Sequence, residues 1–153
     1  MKARIIGTLQ REQPMVRWMQ AMTDDLEEMG EKFDVITLYH VLEHLTDPVS
    51  SLKRILRVAG EGALLVIEVP NAGGWEAKIK NRRWHYYKVD HVNYFRPKDL
   101  RRLAVLCGLK VLDVRGYQHF SYPQGVLWKD LIKGGLAGVG FRDVVSIFLQ
   151  LPS

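Results

Sequence analysis

Two apolar runs of strand length, FDVITLY at Phe33–Tyr39 and ALLVIEV at Ala63–Val69, flank a single amphipathic helix pattern, and that spacing leaves few folds open. The first run is rich in β-favouring residues and alternates too little for a half-exposed strand, so it predicts a strand buried on both faces. Asp47-Pro48 then offers an N-cap followed by proline at the first helical position. Val49, Leu52, Ile55 and Leu56 form one stripe while Lys53, Arg54 and Arg57 fall on the water side, which predicts a helix from Pro48 to Val58 stopped by Gly60 and Gly62. Strand, short helix and strand make a βαβ unit, whose strands are parallel and whose crossover is right-handed. The polar segment after Tyr39 therefore lies at the carboxyl edge of a parallel sheet, where open α/β folds bind ligands.

The flanking chain is less regular. Ala3–Leu9 reads as a short strand and Pro14–Met29 as a helix, with Val16–Met19 as an alternative strand. Trp75 to Tyr94 has no clean period and mixes aromatics (Trp75, Trp84, Tyr86, Tyr87) with cations (Lys78, Lys80, Arg82, Arg83, Lys88), as functional or mobile connections do. Pro97 opens a further helix through Leu100, Leu103, Leu106 and Cys107, Gly108 sits at its left-handed C′ position, and Leu109–Val114 follows as a strand. Val126–Ile132 and Val144–Leu151 are apolar and read as helical, joined by Gly134–Gly140. The expected division is a domain over 1–116 and an apolar, helical extension over 117–153.

With 47% hydrophobic and 25% charged residues in 153, a disordered chain is excluded. The net charge of +5 permits an anionic ligand without requiring nucleic acid. Cys107 is the one cysteine, which excludes an intrachain disulfide and fits a reducing compartment. No run has the length of a membrane span and the N-terminus has no signal-peptide core, so a cytoplasmic protein is expected.

Four motifs carry chemistry. His40-Val41-Leu42-Glu43-His44 matches H-x-x-E-H, a zinc motif of inverted zincin proteases, but that chemistry needs both histidines on one helix. Here His40 follows a strand and Asp47-Pro48 starts the helix, so no metal is expected. The glycines from 134 to 140 resemble a phosphate loop without the preceding strand such a loop needs, and a flexible helix connection is the simpler reading. Trp75–Tyr94 has the rings and cations of an RNA surface, against which stand a solvated loop and a substrate lid. Asp90-His91 pairs an imidazole able to accept a proton near neutrality with a carboxylate, and His91 is either a base or a structural hydrogen-bonding residue.

Together, FDVITLYHVLEHLTDP, LKRILRVAGEGALLVIEVPN and DHVNYFRPKDLRRLAVLCGLKVLDV resemble the C-terminal half of a class I S-adenosylmethionine-dependent methyltransferase, nearest in flavour to the ubiquinone-type O-methyltransferases. The resemblance runs from Phe33 to about Val114. It implies an α/β fold: a partial Rossmann-like sheet with a βαβ core of parallel strands. It implies S-adenosyl-L-methionine as cofactor and a small-molecule acceptor, with a hydroxyl among the candidates. Leu38, Tyr39 and His40 then line the floor of the methionine and acceptor pocket. Glu43 and His44 share that edge, Glu68, Pro70 and Asn71 end the next strand facing the acceptor, and His91 is the candidate base with Tyr94 nearby.

The family also has a glycine-rich turn after its first strand, an acidic residue ending its second and a seventh strand beside the sixth. None of these is legible here, so the sheet is expected to be truncated on the N-terminal side and to lack the last strand. The chain alone is then expected to bind the cofactor weakly or not at all, and its own activity is in doubt. An open sheet edge would invite self-association. The competing functional readings are a non-catalytic remnant or interaction module, a zinc metalloprotease through His40, Glu43 and His44, and an RNA-binding protein.

Overall fold

The structure, a computed structural model, describes Leu26, residues 30–117 and residues 142–152. Strand β1 (Phe33–Tyr39) is joined by helix α1 (Pro48–Ile55) to the long strand β2 (Ala59–Pro70). Helix α2 (Trp75–Lys80) and helix α3 (Pro97–Leu106) follow, then strand β3 (Lys110–Tyr117) and strand β4 (Val144–Gln150). The described strands form one sheet in the order β1-β2-β4-β3.

The βαβ unit forms as expected. β1 pairs in parallel with β2, Val35 opposite Leu64 through Tyr39 opposite Glu68. Asp47 caps α1 by accepting a 3.0 Å hydrogen bond from the Ser50 N–H, and Pro48 opens the helix where its missing N–H costs nothing. Leu52 and Ile55 bury the inner face. The helix is shorter than its pattern: a 3-10 turn, Leu56–Val58, completes the expected span, and the chain enters β2 at Ala59, so Gly60 and Gly62 are strand residues rather than a stop. In α3, the Arg96 N–H donates to Asp99 Oδ2 at 3.0 Å, and Gly108 follows the helix with φ +69°.

Two expectations fail, for one topological reason. Val144–Leu151 is not a helix, and the last strand is not missing: Val144–Gln150 is β4, antiparallel to β2 on one side and to β3 on the other. β3 runs parallel to β2 one position away, and β4 fills the slot between them, burying Val145, Ile147 and Leu149 in the core. Periodicity alone does not tell a buried strand from a buried helix; the short length and the β-branched Val144, Val145 and Ile147 favour the strand, and the two open hydrogen-bonding edges pair it. β1 also differs from expectation. It pairs with β2 alone among the described strands and is not buried on both faces, Val35 being 56% exposed.

The main core joins Leu38, Leu65, Ile67, Val69, Ile147 and Leu149 of the sheet to Leu52, Ile55, Leu100, Leu103 and Ala104 of α1 and α3. No helix among the described residues is long and apolar enough to cross a membrane. The expectations for Ala3–Leu9, for Pro14–Met29 apart from Leu26, for Val126–Ile132 and for the glycines from 134 to 140 lie outside the described residues.

Candidate active site at the carboxyl edge of the sheet

β1 ends at Tyr39, and His40 turns the chain out of the sheet with φ +51°, a left-handed conformation uncommon for any residue but glycine. Its N–H still donates to the Glu68 carbonyl at 3.0 Å, which ties the turn to the end of β2. A 3-10 turn, Leu42–His44, then drops Leu42 into the core and buries Glu43 beneath His40. His40 Nδ1 lies 3.1 Å from Glu43 Oε1, and His40 Nε2 lies 3.8 Å from Glu68 Oε1. The Ser146 hydroxyl donates to the other Glu68 oxygen at 2.8 Å. One polar chain thus crosses β4, β2 and the turn after β1, with an imidazole between two carboxylates. The ring of Tyr86 stacks over His40, centroids 6.1 Å apart and planes within 15°. Burial, then the charges of Asp143, Glu68, Glu76 and Glu43, push the Tyr86 hydroxyl above its ordinary range.

A second cluster lies on the other side of Glu43. The Glu43 carbonyl accepts from the N–H groups of Val92 and Asn93, each at 3.0 Å, and Asn93 Nδ2 donates to the Leu45 carbonyl at 2.6 Å. These bonds fasten the segment around His91 to the 3-10 turn. His44 Nδ1 donates to the Asp90 carbonyl at 2.9 Å and meets the His91 ring edge-on at 4.7 Å. His91 is only 7% exposed, and its Nδ1 is buried without a hydrogen-bond partner among the described residues. Burial lowers its pKa below 6.5; Glu43 works against that shift and His44 with it. The ring is therefore neutral at pH 7. Glu43, His44 and His91 each bring a ligand atom within 4.8 Å of the others, a donor set able to hold a cation. The zincin arrangement is not formed, since His40 precedes the turn in a left-handed conformation instead of standing on a helix with His44.

The other expected residues divide. Leu38 belongs to the core, whereas Tyr39 is half exposed at the strand end. Pro70 and Asn71 are buried, and Asn71 uses its side chain on backbone: Nδ2 donates to the Arg142 carbonyl at 2.9 Å and Oδ1 accepts from the Gly73 N–H at 3.0 Å. Tyr94 donates to the Lys88 carbonyl at 3.4 Å and packs against Tyr87. So His40, Glu43 and Glu68 come together, His44 and His91 join Glu43 from the far side, and Leu38 and Asn71 support the edge from within. Sequence reasoning missed Tyr86, Ser146, Glu76 and Asp143. Tyr86 lay in a stretch marked as aromatic-rich but without a register, and Ser146 in one read as helical. Trp84, fully buried, anchors that stretch through ring contacts with His85, Tyr86, Tyr87 and Tyr94.

Comparison with known proteins agrees with this layout. A family model described as a methyltransferase domain matches residues 9–114. A ubiquinone biosynthesis O-methyltransferase of Pseudomonas putida is 30% identical over 101 residues, 59% of this chain and 42% of the relative. One from Pseudomonas syringae pv. tomato is 28% identical over 113 residues, 66% of this chain and 47% of the relative. The chain thus spans less than half the length of these curated relatives. Among solved structures, a SAM-dependent methyltransferase from Archaeoglobus fulgidus superposes with a TM-score of 0.59 at 16% identity, covering 87% of this chain and 66% of that one. An S-adenosylmethionine-dependent methyltransferase from Clostridium acetobutylicum gives 0.61 at 12% identity, covering 96% and 70%. With the matched family model covering most of the chain, and β1, β2, β4 and β3 in the arrangement that leaves His40 and Glu68 side by side at the carboxyl edge, this protein belongs to the methyltransferase domain family, among the class I S-adenosylmethionine-dependent methyltransferases.

Proposed function

We propose that this chain takes part in methyl transfer from S-adenosyl-L-methionine to a hydroxyl of a small aromatic acceptor, with His40 as the group that receives the hydroxyl proton. The observation that carries the reading is the environment of His40: carboxylates 3.1 and 3.8 Å from its two ring nitrogens, Tyr86 stacked against it, and 35% of its side chain still open. The O-methyltransferase relatives favour a hydroxyl as the acceptor group, and the rings of Tyr39 and Tyr86 favour an aromatic one.

The described residues fit the methyl-donor end of the cofactor. Tyr39 offers a half-exposed ring at the end of β1, and an electron-rich ring face attracts a cationic centre. Leu38, Tyr39 and His40 would hold that end. When bound, S-adenosylmethionine supplies a methyl group on a positively charged sulfur. The protein's part is to orient the acceptor, exclude water and take up one proton. His40 accepts the proton from the acceptor hydroxyl, and Glu43, 3.1 Å from Nδ1, orients the ring for it. Glu43 also anchors the 91–93 segment, so the acid-base group and the wall of the site rest on one residue. His91 is the second candidate base. It is neutral, but its deep burial makes it harder for an acceptor to reach.

Calorimetric titration of the full chain with S-adenosylhomocysteine, followed by transfer assays on a panel of phenols and catechols, tests the reading. His40→Gln is expected to slow transfer by about 10²- to 10⁴-fold, the usual contribution of general-base catalysis. Full turnover by His40→Gln together with loss in His91→Ala would move the role to His91. Absence of binding heat from folded protein would overturn the reading for this chain alone.

A further inference from the structure

The turn leaving β2 is fastened to the segment that enters β4. The Asn71 N–H donates to the Asp143 carbonyl at 2.7 Å and its side chain to the Arg142 carbonyl, while Gly74 packs so closely that an added Cβ would lie 2.7 Å from Arg142 O. Two carboxyls are buried at this joint, Glu76 of α2 at 7% exposure and Asp143 at 2%. Lys80 donates to Glu76 Oε1, and His85 Nδ1 lies 3.8 Å from Oε2. Glu76 Oε2 and Asp143 Oδ1 are shielded from solvent, and neither has a hydrogen-bond donor among the described residues. Ionised carboxylates only accept hydrogen bonds, so two of them cannot satisfy one another. A single proton between them turns two unsatisfied acceptors into one hydrogen bond.

We infer that Glu76 and Asp143 share one proton, and that the resulting bond is a pH-sensitive clasp holding α2, and with it the Trp84–Tyr86 wall of the candidate site, against the start of β4. The inference rests on packing at this joint and does not depend on methyl transfer. Asp143 is the carboxyl that keeps the proton. Burial, then the hydrogen bond and charge of Glu76, push its pKa up to about 7, with Lys80 opposing. Burial also raises Glu76, but hydrogen bonds with Lys80 and Asp143 outweigh it and the net shift is downward. Among the described residues, the other ionisable groups facing the pair are Lys80, His85 and Tyr86, with Glu68 and Glu43 beyond Tyr86. The folded state thus holds a proton that the unfolded chain releases near 3.8, the ordinary value. The clasp's contribution is full below that value and is lost as pH rises through about 7.

The test is a carboxyl ¹³C NMR titration of the full chain, wild type, Asp143→Asn and Glu76→Gln, with thermal unfolding across the same pH range. One carboxyl is expected to titrate near neutrality in the wild type and in neither variant. Asp143→Asn, whose amide can donate to Glu76 at any pH, is expected to gain in midpoint over the wild type as pH rises from about 5 to about 8.5. The clasp is refuted if every wild-type carboxyl titrates in the ordinary range below about pH 5.5, or if the near-neutral signal survives in a folded variant. Should one variant not fold, the other decides.

Discussion

Ile147→Ala probes the strand that sequence reasoning did not foresee. Ile147 is fully buried at the middle of β4, opposite Ile67 of β2 and Val114 of β3. The substitution removes three side-chain carbons, worth about 2.4 kcal/mol at ~0.8 kcal/mol per buried carbon. The cavity left on the face of the sheet, among the core residues packed there, adds to this because strands paired on both sides relax only partly, and a total of about 3–4 kcal/mol follows. For a chain of this size that is a fall of roughly 6–16 °C in Tm. Urea unfolding followed by circular dichroism measures it, with Val105→Ala as the control. Val105 lies 76% exposed on α3, where truncation is expected to change stability by no more than about 0.5 kcal/mol. If 144–150 were instead a helix outside the sheet, the two variants would behave alike. A loss below about 1 kcal/mol for Ile147→Ala would refute the placement of β4.

Two further outcomes follow from the site. His91 has its pKa lowered mainly by burial, so the folded protein binds that proton less readily than the unfolded chain, and its stability contribution is lost as pH falls from 6.5 through the lower folded value. His91→Leu is expected to flatten the loss of stability that sets in as pH falls below 6.5, read as a difference from wild type because Asp143 acts in the opposite direction there. Gly74→Ala would place a methyl 2.7 Å from the Arg142 carbonyl and 3.1 Å from the Asn71 carbonyl, both backbone atoms that cannot swing aside. A destabilisation of about 1–3 kcal/mol is expected, visible as a lower urea midpoint.

Much of the site was legible because it is local. His40 and Glu43 are three residues apart, and an apolar run ending in polar residues marks a strand edge without tertiary knowledge. Glu68 could be brought to them by the βαβ inference, since parallel pairing places the ends of both runs side by side, and the register puts Tyr39 opposite Glu68. His91 was singled out from the sequence as chemically notable. Its burial against His44, which makes reaching it the difficulty, depends on the Glu43 carbonyl gripping Val92 and Asn93, and no local pattern records that bond.

The strand–helix–strand core could be read from residues because each signal needs only its neighbours: an apolar run, a cap at Asp47-Pro48 and a helical stripe. Family resemblance added the cofactor class and the chemical type of the edge. Which strands share hydrogen bonds was decided at long range. VVSIFLQ has no decisive period, although its seven-residue length and its Val144, Val145, Ile147 and Phe148 favour a strand, and it pairs as β4 in the slot that β2 and β3 leave, whose backbone groups needed partners. β1 looked like an interior strand, yet burial depends on what lies beside a strand as much as on its own residues. The same applies to Tyr86 over His40, Ser146 on Glu68 and Asp143 beside Glu76. These contacts join residues far apart in the chain, so they exist only once the sheet has set its order.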